Sequence, residues 1–291
     1  MLHNPYVLFA FSMFVFGSNG IVASHIPLSS YEIVLCRTLI GGFCLLAVVC
    51  LRHELKQLLQ PSRDLVWVLV AGLALAGNWL FLYEAYQQVG VSLATLLCYA
   101  GPILVMILAR FIFQEALTVP KVLGIILVTL GMVCINGVDV EAHGLSWGMA
   151  CGFLSATCYA LLIISVKKIK NITGMALSAA ELLIASVIVG IVNLSAPTPE
   201  WNLSLSTFAW IALLGFFNTG FACCLYFSCI QKLPAQSVSI CGYIEPLSAL
   251  ALSAIFLGET LTLLQWLGAV LVLGGVGVAE LRGHRIHVER N

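Results

Sequence analysis

The sequence predicts an all-α integral membrane protein: ten transmembrane helices arranged as two inverted five-helix repeats, with both termini cytoplasmic. Three observations predict it. Hydrophobic residues fill 61% of the 291 positions and charged residues only 9%, against roughly 45–50% and about 25% in soluble domains. The apolar residues gather into ten runs, each near the ~20 residues that a spanning helix needs. A motif in the first half of the chain returns in the second.

The ten runs cover about 6–26, 31–51, 65–86, 91–113, 120–138, 144–166, 175–195, 206–230, 235–257 and 263–281. The first follows MLHNPY, which has no Lys or Arg. It therefore lacks the basic leader of a secretory signal and is expected to remain as a spanning helix. The connection after the second run is the longest and holds Arg52, Glu54, Lys56, Pro61, Arg63 and Asp64. No stretch is left over for a soluble domain.

Basic residues set the orientation. With the N-terminus in the cytoplasm, that side receives Arg52, Lys56, Arg63, Arg110, Lys121, Lys167, Lys168, Lys170, Lys232, Arg282, Arg285 and Arg290. These are all of the 13 Lys and Arg except Arg37, which lies inside the second run. The outer loops carry Asp139, Glu141, Glu200 and Glu259 instead. Trp67, Trp147, Trp201, Trp210 and Trp266 fall near run ends, where indole rings favour the interface.

Several function classes drop out on composition. The formal net charge is zero, and nucleic-acid binding needs a basic stripe. All 11 cysteines sit inside apolar runs and no CxxC pair occurs; they read as small apolar fillers, not as disulfides or a metal site. No cofactor is implied. HExxH, GxSxG and the phosphate-binding GxxxxGK[ST] loop are absent, and none of the six His lies deep in a run. An intramembrane enzyme or an ATP-driven pump would need one of these.

The repeat is specific. YAGPILVMILARFIFQEALT from Tyr99 is echoed by YIEPLSALALSAIFLGETLT from Tyr243. Tyr99/Tyr243, Pro102/Pro246, Leu108/Leu252, Glu115/Glu259, Leu117/Leu261 and Thr118/Thr262 correspond, and Trp67/Trp210, Gly72/Gly215, Gly77/Gly220, Tyr83/Tyr226 and Gln88/Gln231 extend the match. Runs 3–5 thus match runs 8–10, and the units are residues 1–143 and 144–291. Five helices per unit is odd, so the second copy enters the membrane upside down. Secondary transporters with inverted repeats place their substrate site between the copies, near the midplane.

Ten helices in two halves, each with a proline helix running into an E-x-L-T tail, resemble the drug/metabolite transporter superfamily. IEPLSALALSAIFLGETLT followed by LLQWLGAVLVLGG is similar to the last two helices of its EamA-type branch. The resemblance covers essentially the whole chain. It implies a multi-pass protein of the bacterial plasma membrane with a central cavity lined mainly by helices 1, 3, 4, 6, 8 and 9. It also implies a secondary carrier for a small-molecule substrate, in a branch that includes amino-acid and metabolite exporters, but it does not name the substrate. Export of a small amino acid or similar polar metabolite is the preferred reading, with Arg37 attracting a carboxylate and Glu245, Tyr99 and Tyr243 receiving an amine. Transport of hydrophobic or cationic amines, drugs included, is the alternative. The expected assembly is a monomer or homodimer.

Candidate substrate contacts follow from polarity at spanning depth. Glu245 lies about ten residues into run 9, where a charge costs at least ~2.5–3.5 kcal/mol and so faces a cavity or a partner. It can receive an amine or a coupling proton, or serve as a structural carboxylate. Ser237, Cys241, Glu245 and Ser248 share one helical stripe. Arg37 can anchor a carboxylate or snorkel to an interface; its counterpart Glu181 sits at the opposite depth, so the two are not expected to pair. Asn19, Asn78 and Asn218 need either a wet cavity or another helix. Trp79, Tyr99 and Tyr243 offer ring faces to a cation. Pro102 and Pro246 each remove a backbone donor and are candidate hinges. Gly144, Gly148 and Gly152 form a small-residue ridge for close helix packing. Glu115 and Glu259 read as helix-terminal structural residues.

Overall fold

Helix breaks, more than helices, shape this molecule. The computed structural model describes residues 4–59, 63–89, 91–136, 146–194, 204–256 and 261–288, and no strand occurs among them. Asp139, Glu141, Gly144, Glu200, Trp201, Glu259 and Arg290 lie outside the described residues. The helices are α1 (Pro5–Gly17), α2 (Asn19–Ser24), α3 (Ser30–Leu51), the short α4 (Lys56–Leu59), α5 (Asp64–Val89), α6 (Val91–Cys98), α7 (Ala100–Ile112), α8 (Val119–Asn136), α9 (Trp147–Lys168) and α10 (Gly174–Asn193). Then come α11 (Leu205–Leu213), a π-helical stretch (Leu214–Phe221), α12 (Ala222–Ile230), α13 (Ala235–Cys241), α14 (Ile244–Phe256) and α15 (Leu263–Val288).

Eight stretches are long and apolar enough to cross a bilayer: Pro5–Ser24, Ser30–Leu51, Asp64–Val89, Leu93–Ile112, Trp147–Lys168, Gly174–Asn193, Leu205–Ile230 and Ala235–Phe256. Val119–Ile135 and Leu263–Ala279 are apolar but shorter. They occupy the fifth and tenth predicted runs. Bulky side chains such as Phe11, Phe43, Phe111, Phe208 and Phe256 point outward, as they do toward lipid.

Local chemistry accounts for the ends and the breaks. Ser29 and Glu32 form a reciprocal capping box at the start of α3. Ser146 and Ser204 cap α9 and α11. α6 gives way to α7 at Tyr99, and α13 to α14 at Gly242–Tyr243. Both breaks sit just ahead of Pro102 and Pro246. A proline cannot donate to the carbonyl four residues back and its ring crowds that group, here Cys98 and Gly242. α1 and α2 part at Ser18, whose hydroxyl turns back to Val15 O at 2.7 Å.

Corresponding residues of the two halves make corresponding contacts. A Cβ placed on Gly72 would meet Ile184 Cβ at 2.6 Å, and one on Gly215 would meet Ile40 Cβ at 2.6 Å. Where α8 crosses α15, Gly131 and Gly268 each approach the other's carbonyl so closely that a Cβ would stand 2.6 Å from it; Gly124 and Gly275 do the same. Gly148 packs against Gln88 and Val89, and Gly152 against Leu97. This part of the ridge therefore packs internally.

Basic residues collect at one end of the bundle, where polar groups knit the helices together. Asp64 accepts from the amides of Lys170 (3.0 Å) and Asn171 (2.6 Å). Lys167 donates to Leu233 O, and the ammonium groups of Lys167 and Lys168 lie 5.9 and 5.5 Å from the Phe113 ring centre. Glu115 reaches across to α13, accepting from the amides of Ala235 (2.7 Å) and Gln236 (3.0 Å). Lys121 adds a 2.7 Å bond to Gln236 Oε1. At the opposite end Tyr31 donates to Glu84 at 2.9 Å, and His25 stacks on Trp210.

Candidate functional site: a charged aromatic cavity

A cavity of about 780 Å³ opens among α1–α2, α3, α5, α6–α7, α9, α12 and α13–α14. That volume lies within the roughly 300–1,000 Å³ of small-molecule sites. Its wall begins in mid-bundle at Pro102, Tyr226 and Phe227. It extends through Ala23, Tyr86, Ile135 and Gln265, toward the end away from the basic residues. The predicted lining helices 1, 3, 4, 6, 8 and 9 all contribute. So does α3, through Ile33 and Arg37.

Arg37 is held on the wall by its neighbours. Gly41, one turn further along α3, packs against the backbone of Gly215 and Gly220. This close approach brings Thr219 of the π-helical stretch beside Arg37, and Nε donates to Thr219 Oγ1 at 2.9 Å. Thr219 in turn donates to Leu214 O, five residues back, at 2.8 Å. The guanidinium lies 4.8 Å from the Trp79 ring centre, within cation–π range. Arg37 is 6% exposed. Among the described residues its recorded hydrogen bond uses Nε alone, so both terminal nitrogens keep their donors.

Glu245 occupies the first turn of α14, immediately after the break. Its carboxylate borders the cavity and accepts no hydrogen bond from any described residue. Arg37 is within its electrostatic reach, as are Tyr86, Tyr99, Tyr159 and Tyr226. The site thus sets an unspent donor and an unspent acceptor of opposite charge among aromatic rings.

The remaining predicted residues divide. Asn19, Asn78, Trp79, Tyr99, Pro102 and Pro246 line the cavity. Asn218 and Tyr243 do not. Asn218 is 1% exposed, and its amide donates to Ser18 Oγ (2.7 Å), Asn19 Oδ1 (3.1 Å) and Val15 O (3.2 Å). It fills the polar gap where α1 and α2 part. Asn78 combines both roles, because its amide also donates to Ser155 O and Oγ at 3.0 Å each. Tyr243, 1% exposed, is turned toward the basic end, with its hydroxyl on Tyr99 O at 2.8 Å and its ring 5.4 Å from that of Tyr99. Of the stripe Ser237, Cys241, Glu245 and Ser248, only Glu245 reaches the cavity. Ser248 donates back to Glu245 O at 2.8 Å and packs on Gly17.

Thr95 and Cys98 were not singled out as site residues, yet both line the wall. With Tyr99 and Pro102 they form an i, i+3, i+4, i+7 set, which is one face of a helix. Glu181 lies behind the wall, 0% exposed, and neither carboxylate oxygen has a partner among the described residues. All 11 cysteines are free, and no cluster of potential metal ligands occurs among the described residues.

An apolar helical bundle enclosing a ligand-sized cavity, open at one end and sealed at the other, has the architecture of a multi-pass membrane transport protein. The chain belongs to the EamA-like transporter family, within the drug/metabolite transporter superfamily; the family model matches residues 4–137 and again 146–280. It is 28% identical over 283 residues to the uncharacterized transporter YxxF of Bacillus subtilis, covering 93% of this chain and 88% of that one. The uncharacterized inner membrane transporter YedA of Escherichia coli K12 is 26% identical over 249 residues, covering 84% and 79%. A solved crystal structure superposes with a TM-score of 0.84 at 18% identity, covering 95% of this chain and 97% of that one; this likeness concerns the fold alone.

Proposed function

We propose that this transporter is a secondary active carrier that works by alternating access and exports an amino acid or similar small polar metabolite across the bacterial plasma membrane. One observation carries the reading: Arg37 and Glu245, opposite in charge and each with hydrogen-bonding capacity left over, border one cavity. A ligand bearing both a carboxylate and an amine would satisfy the two at once. Charge-assisted hydrogen bonds of this kind are about twice as strong as neutral ones. The surrounding rings would hold the apolar part of such a ligand.

Alternating access draws support from the repeated packing of the halves and from the helix breaks at the cavity, where Pro102 and Pro246 would act as hinges. Glu245 is the proposed site for a coupling proton. The protein would work in the bilayer as a monomer or homodimer.

The alternative, a hydrophobic or cationic amine, has its own supporting observation. Trp79 and Thr219 already engage Arg37, whereas Tyr86, Tyr99, Tyr159 and Tyr226 line the same cavity as Glu245 and offer ring faces to a cation.

The test begins with purified protein screened for thermal stabilisation by amino acids, nucleosides and organic amines. A ligand at 100 times its Kd adds about 2.7 kcal/mol. Transport of the best ligand is then measured in proteoliposomes. Loss of transport in both Arg37→Gln and Glu245→Gln supports the amino-acid reading. Transport that survives Arg37→Gln but not Glu245→Gln selects the amine. Flux indifferent to an imposed pH gradient removes the coupling proton.

A further inference from the structure

The seam at the basic end is closed by two hydroxyls that use carbonyls beside the first-half proline. Ser239 donates to Pro102 O, and Tyr243 donates to Tyr99 O at 2.8 Å. Tyr99 is the break between α6 and α7, and Pro102 lies in the first turn of α7.

The repeat makes this arrangement reciprocal. Counting back along the second half, Ser239 corresponds to Thr95, Tyr243 to Tyr99, and Pro246 to Pro102. Each donor therefore has a counterpart that is also a hydroxyl, and each acceptor a counterpart in the second half. None of these counterpart bonds is made. Thr95, Tyr99 and Pro246 instead line the open cavity, and Thr95 Oγ1 points to the Tyr86 hydroxyl at 3.4 Å. Elsewhere the two halves do make reciprocal contacts, Gly72 on Ile184 and Gly215 on Ile40. The halves thus agree in these scaffold contacts and disagree at this pair of seams, as expected if one seam at a time can close.

We infer that, in the opposite access state, Thr95 Oγ1 donates to Pro246 O and the Tyr99 hydroxyl to Tyr243 O, sealing the end that is open here. The Ser239–Pro102 and Tyr243–Tyr99 bonds break in the same step. Tyr243 then takes the place on the cavity wall that Tyr99 holds now, so each tyrosine contacts the substrate in one state and seals the chain in the other. The exchange conserves two hydrogen bonds, leaving the two states close in energy, as a reversible carrier requires. This inference rests on the alternating-access reading.

Pulsed electron paramagnetic resonance tests it, with spin labels on non-canonical residues so that the native cysteines stay in place. One label pair, at positions 88 and 263, spans the open end. A second, at positions 119 and 232, spans the closed end. Losing one net hydrogen bond should change the ratio of the two populations by about fivefold. Tyr243→Phe, which keeps the ring, is expected to shift population toward the shorter distance at the first pair and the longer distance at the second, in that proportion. Adding Tyr99→Phe should return both populations toward wild type. Ser239→Ala and Thr95→Val form an independent pair with the same opposed signs. The seam assignment is overturned if the populations exchange but ignore Tyr99→Phe and Thr95→Val, or follow them in the same direction as Tyr243→Phe. One unvarying distribution at both label pairs, in wild type and every variant, overturns alternating access and the seam with it.

Discussion

The two halves of this molecule share their packing and differ in their chemistry. Gly72 and Gly215 each receive an isoleucine from the other half, at the same 2.6 Å clearance. Yet the residue ahead of the proline is Gly101 in one half and Glu245 in the other. Arg37 and Glu181 also correspond; one stands on the cavity wall with a threonine and an indole, while the other is sealed behind it without a hydrogen-bond partner among the described residues. These packing contacts match between the halves, and these charged positions do not.

That contrast can be broken most severely at the scaffold. Gly131→Val would drive a side chain into the Gly268 carbonyl, which cannot rotate away. The cost is expected at or above the upper end of the ~1–3 kcal/mol of ordinary overpacking, seen as loss of monodisperse protein in size-exclusion chromatography. A normal elution profile would mean that α8 and α15 can part freely.

Next in size is Asn218→Ala, which strips the donor from Ser18, Asn19 and Val15 at the α1–α2 break. A loss of about 1–3 kcal/mol is expected, read as a lower unfolding midpoint in detergent. An unchanged midpoint would show that water can replace the amide there.

Glu181→Leu should act with the opposite sign. It removes a buried carboxyl group that no described residue satisfies, and such groups cost about 1–3 kcal/mol. A higher midpoint is expected; a lower one would reveal that Glu181 supports the fold. Smallest is Lys121→Met, which deletes one part-buried bond to Gln236. Its effect should be about 1 kcal/mol, the net worth of one hydrogen bond, leaving the Glu115 contact to α13 to hold that seam; a drop of several times that would make Lys121 a principal closing group.

Much of this was legible in the chain, because hydrophobic runs and prolines act locally. Helix limits fell within a few residues of the runs except at α15, which continues past the predicted end to Val288, and both breaks fell just ahead of a proline. Glu245, which lines the cavity, was legible from its depth and charge; Tyr99, also on the wall, was legible from its place on a helix that the family resemblance assigns to the cavity. Asn218 was ambiguous, since an amide at mid-depth serves a cavity and a neighbouring helix equally well, and only the partner's backbone decides. Tyr243 lies off the cavity wall although its counterpart Tyr99 is on it, because its hydroxyl is held by Tyr99 O and its ring packs among Met106, Val128 and Met132; equal sequence does not impose equal surroundings. The stripe from Ser237 to Ser248 assumed an unbroken helix, and the turn at Gly242–Tyr243 rotates Glu245 away from the serines. Thr95 was overlooked because a threonine in an apolar run looks ordinary until the face it shares is traced.

The glycine crossing of α8 and α15 has a mechanical consequence. Backbone meets backbone at Gly131–Gly268 and again at Gly124–Gly275, with no side chain between to yield or slide. Two such points define a line, and neighbouring helices can swing about a line without leaving it. An axle of that kind would let the molecule present its interior to two compartments in turn while never becoming a hole between them.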